Sequence, residues 1–110
     1  MDRGLSRADV VDLVAKDAAG NEYTLVIVAS SPWDDDAVLS LQAKVKNYIT
    51  FVESGQLLRV YPDAVGKRIA FRLSTMHPLS PMADRFVHLA TSQWLRPLSI
   101  AFEVRELNDG

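Results

Sequence analysis

The sequence predicts an α+β fold: a two-layer sandwich in the order β-β-α-(β)-β-α-β, with two helices on one face of a four- or five-stranded sheet. Three observations carry that expectation. Two β-branched runs flank a turn-forming stretch near the start. A long apolar stripe at helical spacing follows an acidic helix start. A second helix signal, opened by a proline, lies between two alternating segments.

Val10 to Lys16 and Tyr23 to Ala29 are the first two strands, joined through Asp17-Ala18-Ala19-Gly20-Asn21 as a hairpin with a longer loop. In the second strand Tyr23, Leu25, Ile27 and Ala29 share one face, and Thr24, Val26 and Val28 share the other. Both faces are largely apolar, which places the strand inside the sheet. Ser30-Ser31-Pro32 ends it. Asp34 then reads as a helix N-cap, with Trp33 and Val38 placed as a hydrophobic staple. Asp35 and Asp36 fall in the first turn, where the helix dipole favours anions. Val38, Leu41, Val45, Tyr48 and Val52 form the buried stripe, Ile49 widens it, and Lys44, Lys46 and Asn47 fall on other faces. Gly55 is placed to stop the helix.

Leu57 to Tyr61 reads as a short optional strand, closed by the turn residues Pro62 to Gly66. Ile69, Phe71 and Leu73 alternate with Arg68, Ala70 and Arg72, as in a half-buried strand. Ser80 caps the second helix with Pro81 at its first position, where a missing N–H costs nothing. Ala83, Phe86, Val87, Ala90 and Trp94 mark its buried face, and Asp84, Arg85, His88 and Ser92 the opposite one. Pro97 forbids continuation. Ile100, Phe102 and Val104 then alternate as a last strand. The final β-α-β unit is a crossover if its strands are parallel, and strand order is not recoverable from the pattern.

At 110 residues and 12.2 kDa the chain is sized for one domain, expected over residues 9–107, with flexible ends at 1–8 and 108–110. A hydrophobic fraction of 48% with 24% charged residues excludes the disordered class. Twelve basic and fourteen acidic residues leave a net charge of −2, which argues against a nucleic-acid partner. The absence of cysteine excludes disulfides, thiolate metal sites and a thiol nucleophile. The longest apolar run, Leu25 to Ala29, is far short of the ~20 residues that span a bilayer. Charged residues at Asp2, Arg3, Arg7, Asp9 and Asp12 interrupt any signal-peptide core, so the expectation is a cytoplasmic protein with no membrane contact.

Trp33-Asp34, Leu41-Gln42-Ala43-Lys44, Tyr48, Phe51, Glu53-Ser54-Gly55 and Tyr61-Pro62-Asp63-Ala64 with Gly66 form a recognisable series. It resembles a family of small uncharacterised bacterial proteins with a W-D, E-S-G, Y-P-x-A-x-G pattern. The likeness covers about Val10 to Leu73, and the part from Trp94 onward matches less clearly. It implies a bacterial source and one compact domain, and it carries no activity or ligand.

No residue is assigned a catalytic role, and no metal or cofactor is expected. Asp34-Asp35-Asp36 lacks the alternating oxygen ligands and glycine of a calcium loop, and capping accounts for it. Neither His77 nor His88 belongs to a metal-binding spacing. A Ser80, His77 and Asp63 set can be composed, but no nucleophile-elbow glycines surround a serine. The glycines stand singly, so no phosphate cradle exists. The leading reading is a non-enzymatic protein–protein interaction module that self-associates as a homodimer through its open sheet face. Val14, Val26, Val28, Ala70 and Ala101 are the expected interface, ringed by Arg68, Arg72, Glu103 and Arg105. Another protein is the other partner this reading admits, and the alternative to an interface is that a loop or the N-terminal arm covers the face. The alternative is a small-ligand or anion-binding module, with Tyr61, Lys67, Arg68 and Arg72 supplying donors to a carboxylate or phosphate.

Overall fold

The computed structural model describes residues 13–107. Expectations that fall on residues 1–12 and 108–110, including the start of the first strand and both flexible ends, lie outside them. Four strands form one mixed sheet in the order β1-β2-β3-β4: β1 Leu13–Lys16, β2 Glu22–Ala29, β3 Arg68–Thr75 and β4 Ala101–Glu106. The β1–β2 pair is antiparallel, while β2–β3 and β3–β4 are parallel. Helix α1 (Asp35–Glu53) connects the first parallel pair, and α3 (Pro81–Leu89) connects the second. The α+β expectation with helices on a four-stranded sheet therefore holds. The optional fifth strand does not: Gln56–Val60 forms a short helix, α2.

The hairpin closes on Asp17, whose carboxylate accepts from Asn21 N–H at 2.6 Å and Glu22 N–H at 3.2 Å. Gly20 sits at φ 73°, a conformation open to glycine at little cost. Asp34 caps α1 as its residue type suggests, accepting from Ala37 N–H at 2.8 Å. Ser80 does the same for α3, accepting from Ala83 N–H at 3.1 Å. At the far end of α1, Gly55 takes the left-handed conformation at φ 86°. That reversal lets the chain restart at once as α2, since Gln, Leu and Arg are good helix formers.

The helices cover the face formed by Tyr23, Leu25, Ile27 and Ala29 of β2 with Phe71 and Leu73 of β3. Leu41, Val45 and Tyr48 of α1 and Phe86, Val87 and Ala90 of α3 and its extension complete one core. Tyr48 packs edge-on against Phe71 at 5.6 Å, and its hydroxyl donates to Val26 O at 2.7 Å, tying α1 to β2. Lys44 departs from the expected pattern. It is fully buried rather than solvated, with Nζ 5.8 Å from the centre of the Tyr48 ring. Beyond α3 the chain continues as a π-helical turn over Ala90–Leu95. There Thr91 and Ser92 hydroxyls donate back to the Val87 and His88 carbonyls, a competition that loosens regular helix. The turn keeps Trp94 in edge contact with Phe86 at 5.4 Å.

Candidate interaction surface

On the face turned away from the helices, the registers place side chains in rows across the sheet. Glu22 stands beside Arg68, Thr24 beside Ala70 and Ala101, Val26 beside Arg72 and Glu103, and Val28 beside Ser74 and Arg105. This is the open face that alternation predicts, with one correction. Val14 pairs with Leu25 and so lies on the helix side. The physical reason is register: a shift of one residue in a hairpin moves every side chain of the strand to the other face.

The remaining expected interface residues divide. Val26 and Ala70 are on the open face but each is only 5% exposed, and Thr24 and Ser74 beside them are buried too. Val28 is 37% exposed, and Ala101 is exposed at the edge. The middle of the face is crossed by an ion pair in which Arg72 Nε–H donates to Glu103 Oε1. The apolar surface therefore lies toward the carboxyl ends of the strands. Met76 N–H donates to Ala29 O and Leu107 N–H donates to Thr75 O, carrying both ladders one residue further. Alternation sets Met76 and Leu107 on the same face as Val28, and both are strongly exposed. Sequence reasoning missed these two, although each continues the even or odd series of its strand.

The four residues of the ligand-binding alternative are not brought together. Tyr61 packs against Tyr23 at 6.0 Å on the helix side, whereas Arg68 and Arg72 belong to the open face. Lys67 is exposed in the turn before β3, and Arg72 is engaged by Glu103. Ser80, His77 and Asp63 are likewise apart. Asp63 precedes β3 and the other two follow it, and a strand of eight residues spans about 26 Å. Ser80 Oγ is engaged as a cap, and His88 faces Asp84 at 3.6 Å on an exposed helix surface. Among the described residues no group of three His, Asp or Glu side chains is arranged to hold a metal ion.

The carboxyl ends of β2 and β3 are joined by a local network. Thr75 is fully buried; its hydroxyl donates to His77 O at 2.7 Å and accepts from Trp33 Nε1–H at 3.0 Å. It also accepts from His77 N–H at 3.3 Å. This fixes the two loops that border the Val28–Met76 surface.

The fold and this surface define a two-layer α+β protein built on a mixed sheet with, among the described residues, one face free of helices. The chain belongs to a family of unknown function, DUF6572, whose model matches residues 4–108. No curated protein and no solved structure matches it. No described helix is long and apolar enough to cross a membrane.

Proposed function

We propose that the protein is a non-enzymatic protein-interaction module that docks through the open face of its sheet. The observation that supports this reading is the exposed apolar group Val28, Met76 and Leu107 at the carboxyl end of that face. Exposed methionine is an adaptable contact residue, and apolar side chains gathered on a face with charged neighbours favour burial against a partner. The occupant is a second copy or another protein, and the bacterial, cytoplasmic setting read from the sequence belongs to the same proposal. The contact centres on the strand ends and not on Val26 and Ala70, because those two side chains have little surface left to offer.

The test is a native mass spectrum of untagged protein taken gently from its host's lysate, beside a Val28→Lys/Met76→Lys variant. The expected result is an assembly of higher mass for the natural chain, of 12.2 kDa per copy, than for the double variant. Equal masses for the natural chain and the double variant in every sample overturn the reading.

A further inference from the structure

Strand β4 ends the sheet, and among the described residues no strand flanks its outer side. It is six residues long and carries no proline, so its outer backbone is free to pair. The direction of each amide follows from the ladder. Leu107 N–H donates to Thr75 O at 2.8 Å, and alternation in a parallel pair turns Ala101, Glu103 and Arg105 toward β3 as well. The amides and carbonyls of Phe102, Val104 and Glu106 therefore point outward.

We infer that this edge pairs with β4 of a second copy, antiparallel and centred on Val104, to make one continuous sheet across a two-fold axis. The charge pattern of the strand selects both the partner and the register. About Val104, Glu103 of each copy stands opposite Arg105 of the other, and Phe102 stands opposite Glu106. Phe102, Val104 and Glu106 each donate and accept one hydrogen bond. Glu103 and Arg105 fall at the non-hydrogen-bonded positions, where facing side chains approach most closely. Arg72, already bonded to Glu103, extends the pair into a chain of alternating charge across the junction.

Neighbouring registers are disfavoured by the same residues. Centring on Glu103 sets two carboxylates face to face, and centring on Arg105 sets two guanidinium groups face to face. Centring on Phe102 or Glu106 leaves half the strand unpaired. An axis normal to the sheet keeps both helix layers on one side, and it brings the two exposed Val104 side chains together. The contact leaves both of these faces outside the junction, so it is independent of whatever docks there.

Sedimentation velocity on the purified full-length chain, up to about 100 μM, tests the arrangement. The expected species is a dimer of twice 12.2 kDa that weakens with added salt. Val104→Pro removes an outward N–H that the single sheet does not use, so it leaves a folded monomer. Glu103→Arg alone and Arg105→Glu alone each place like charges opposite one another, and each loosens the dimer at least tenfold. Mixing these two variants restores opposite charges at both positions and yields a heterodimer. The Val28→Lys/Met76→Lys variant stays dimeric, which separates failure at the face from failure at the edge. A monomeric natural chain at the highest concentration, or variants that dimerise alone as well as together, overturns the inference.

Discussion

The two strand–helix–strand units are built from the same parts and buried to different depths. In β2-α1-β3 two eight-residue strands lie under a nineteen-residue helix, and Leu25, Ile27, Phe71 and Leu73 are sealed from solvent. In β3-α3-β4 the helix runs nine residues before the π-helical turn, and no residue of β4 itself is buried. The difference teaches where the molecule holds its stability and where it holds its free surface. Both units feed one core, but the first encloses both of its strands while the second leaves its last strand at an edge.

Paired substitutions across the units test that contrast. Phe71 and Phe102 are neighbours in register and meet edge-on at 6.5 Å, yet only Phe71 is fully enclosed. Phe71→Ala lowers the free energy of unfolding in urea by about 3–5 kcal/mol. Phe102→Ala lowers it by about half as much, since half-buried area counts in proportion. Equal losses would erase the distinction between the units. Tyr48→Phe comes next, at about 1–2 kcal/mol, because the buried hydrogen bond from the Tyr48 hydroxyl to the Val26 carbonyl is lost. It leaves the packing against Phe71 in place, so hydrogen exchange at β2 should rise without a change in the core. Smallest are the caps. Asp34→Ala and Ser80→Ala each cost about 1 kcal/mol by thermal melting, one per unit. The double variant shows their sum if the caps act independently.

How much of this was legible in the sequence follows from the range of the forces involved. The caps at Asp34 and Ser80, the stop at Gly55 and the stripe Val38, Leu41, Val45, Tyr48 are set by residues within a few turns. Each emerged where its residue types placed it. Leu57 to Tyr61 reads as an optional strand because a short apolar run has no period of its own; only the reversal at Gly55 decides that Gln56–Val60 is helix. The burial of Lys44 and the face of Val14 depend on what lies across the core and on a hairpin register, and neither leaves a local trace. Of the candidate surface, Val28 was legible from alternation. Met76 and Leu107 became visible once the ladder bonds showed that pairing outruns the strands. The Thr75 network joins residues 42 positions apart, beyond any sequence pattern.

The placement of the two tryptophans has an experimental consequence. Trp33 is held by its indole N–H against Thr75 at the end of the first unit, and Trp94 lies against Phe86 with the Lys46 ammonium 5.5 Å from its ring centre. Indole emission responds to hydrogen bonding and to nearby charge. The molecule thus carries one native fluorophore in each unit, and single-tryptophan variants allow the core and the edge to be followed as separate colours during the same unfolding reaction.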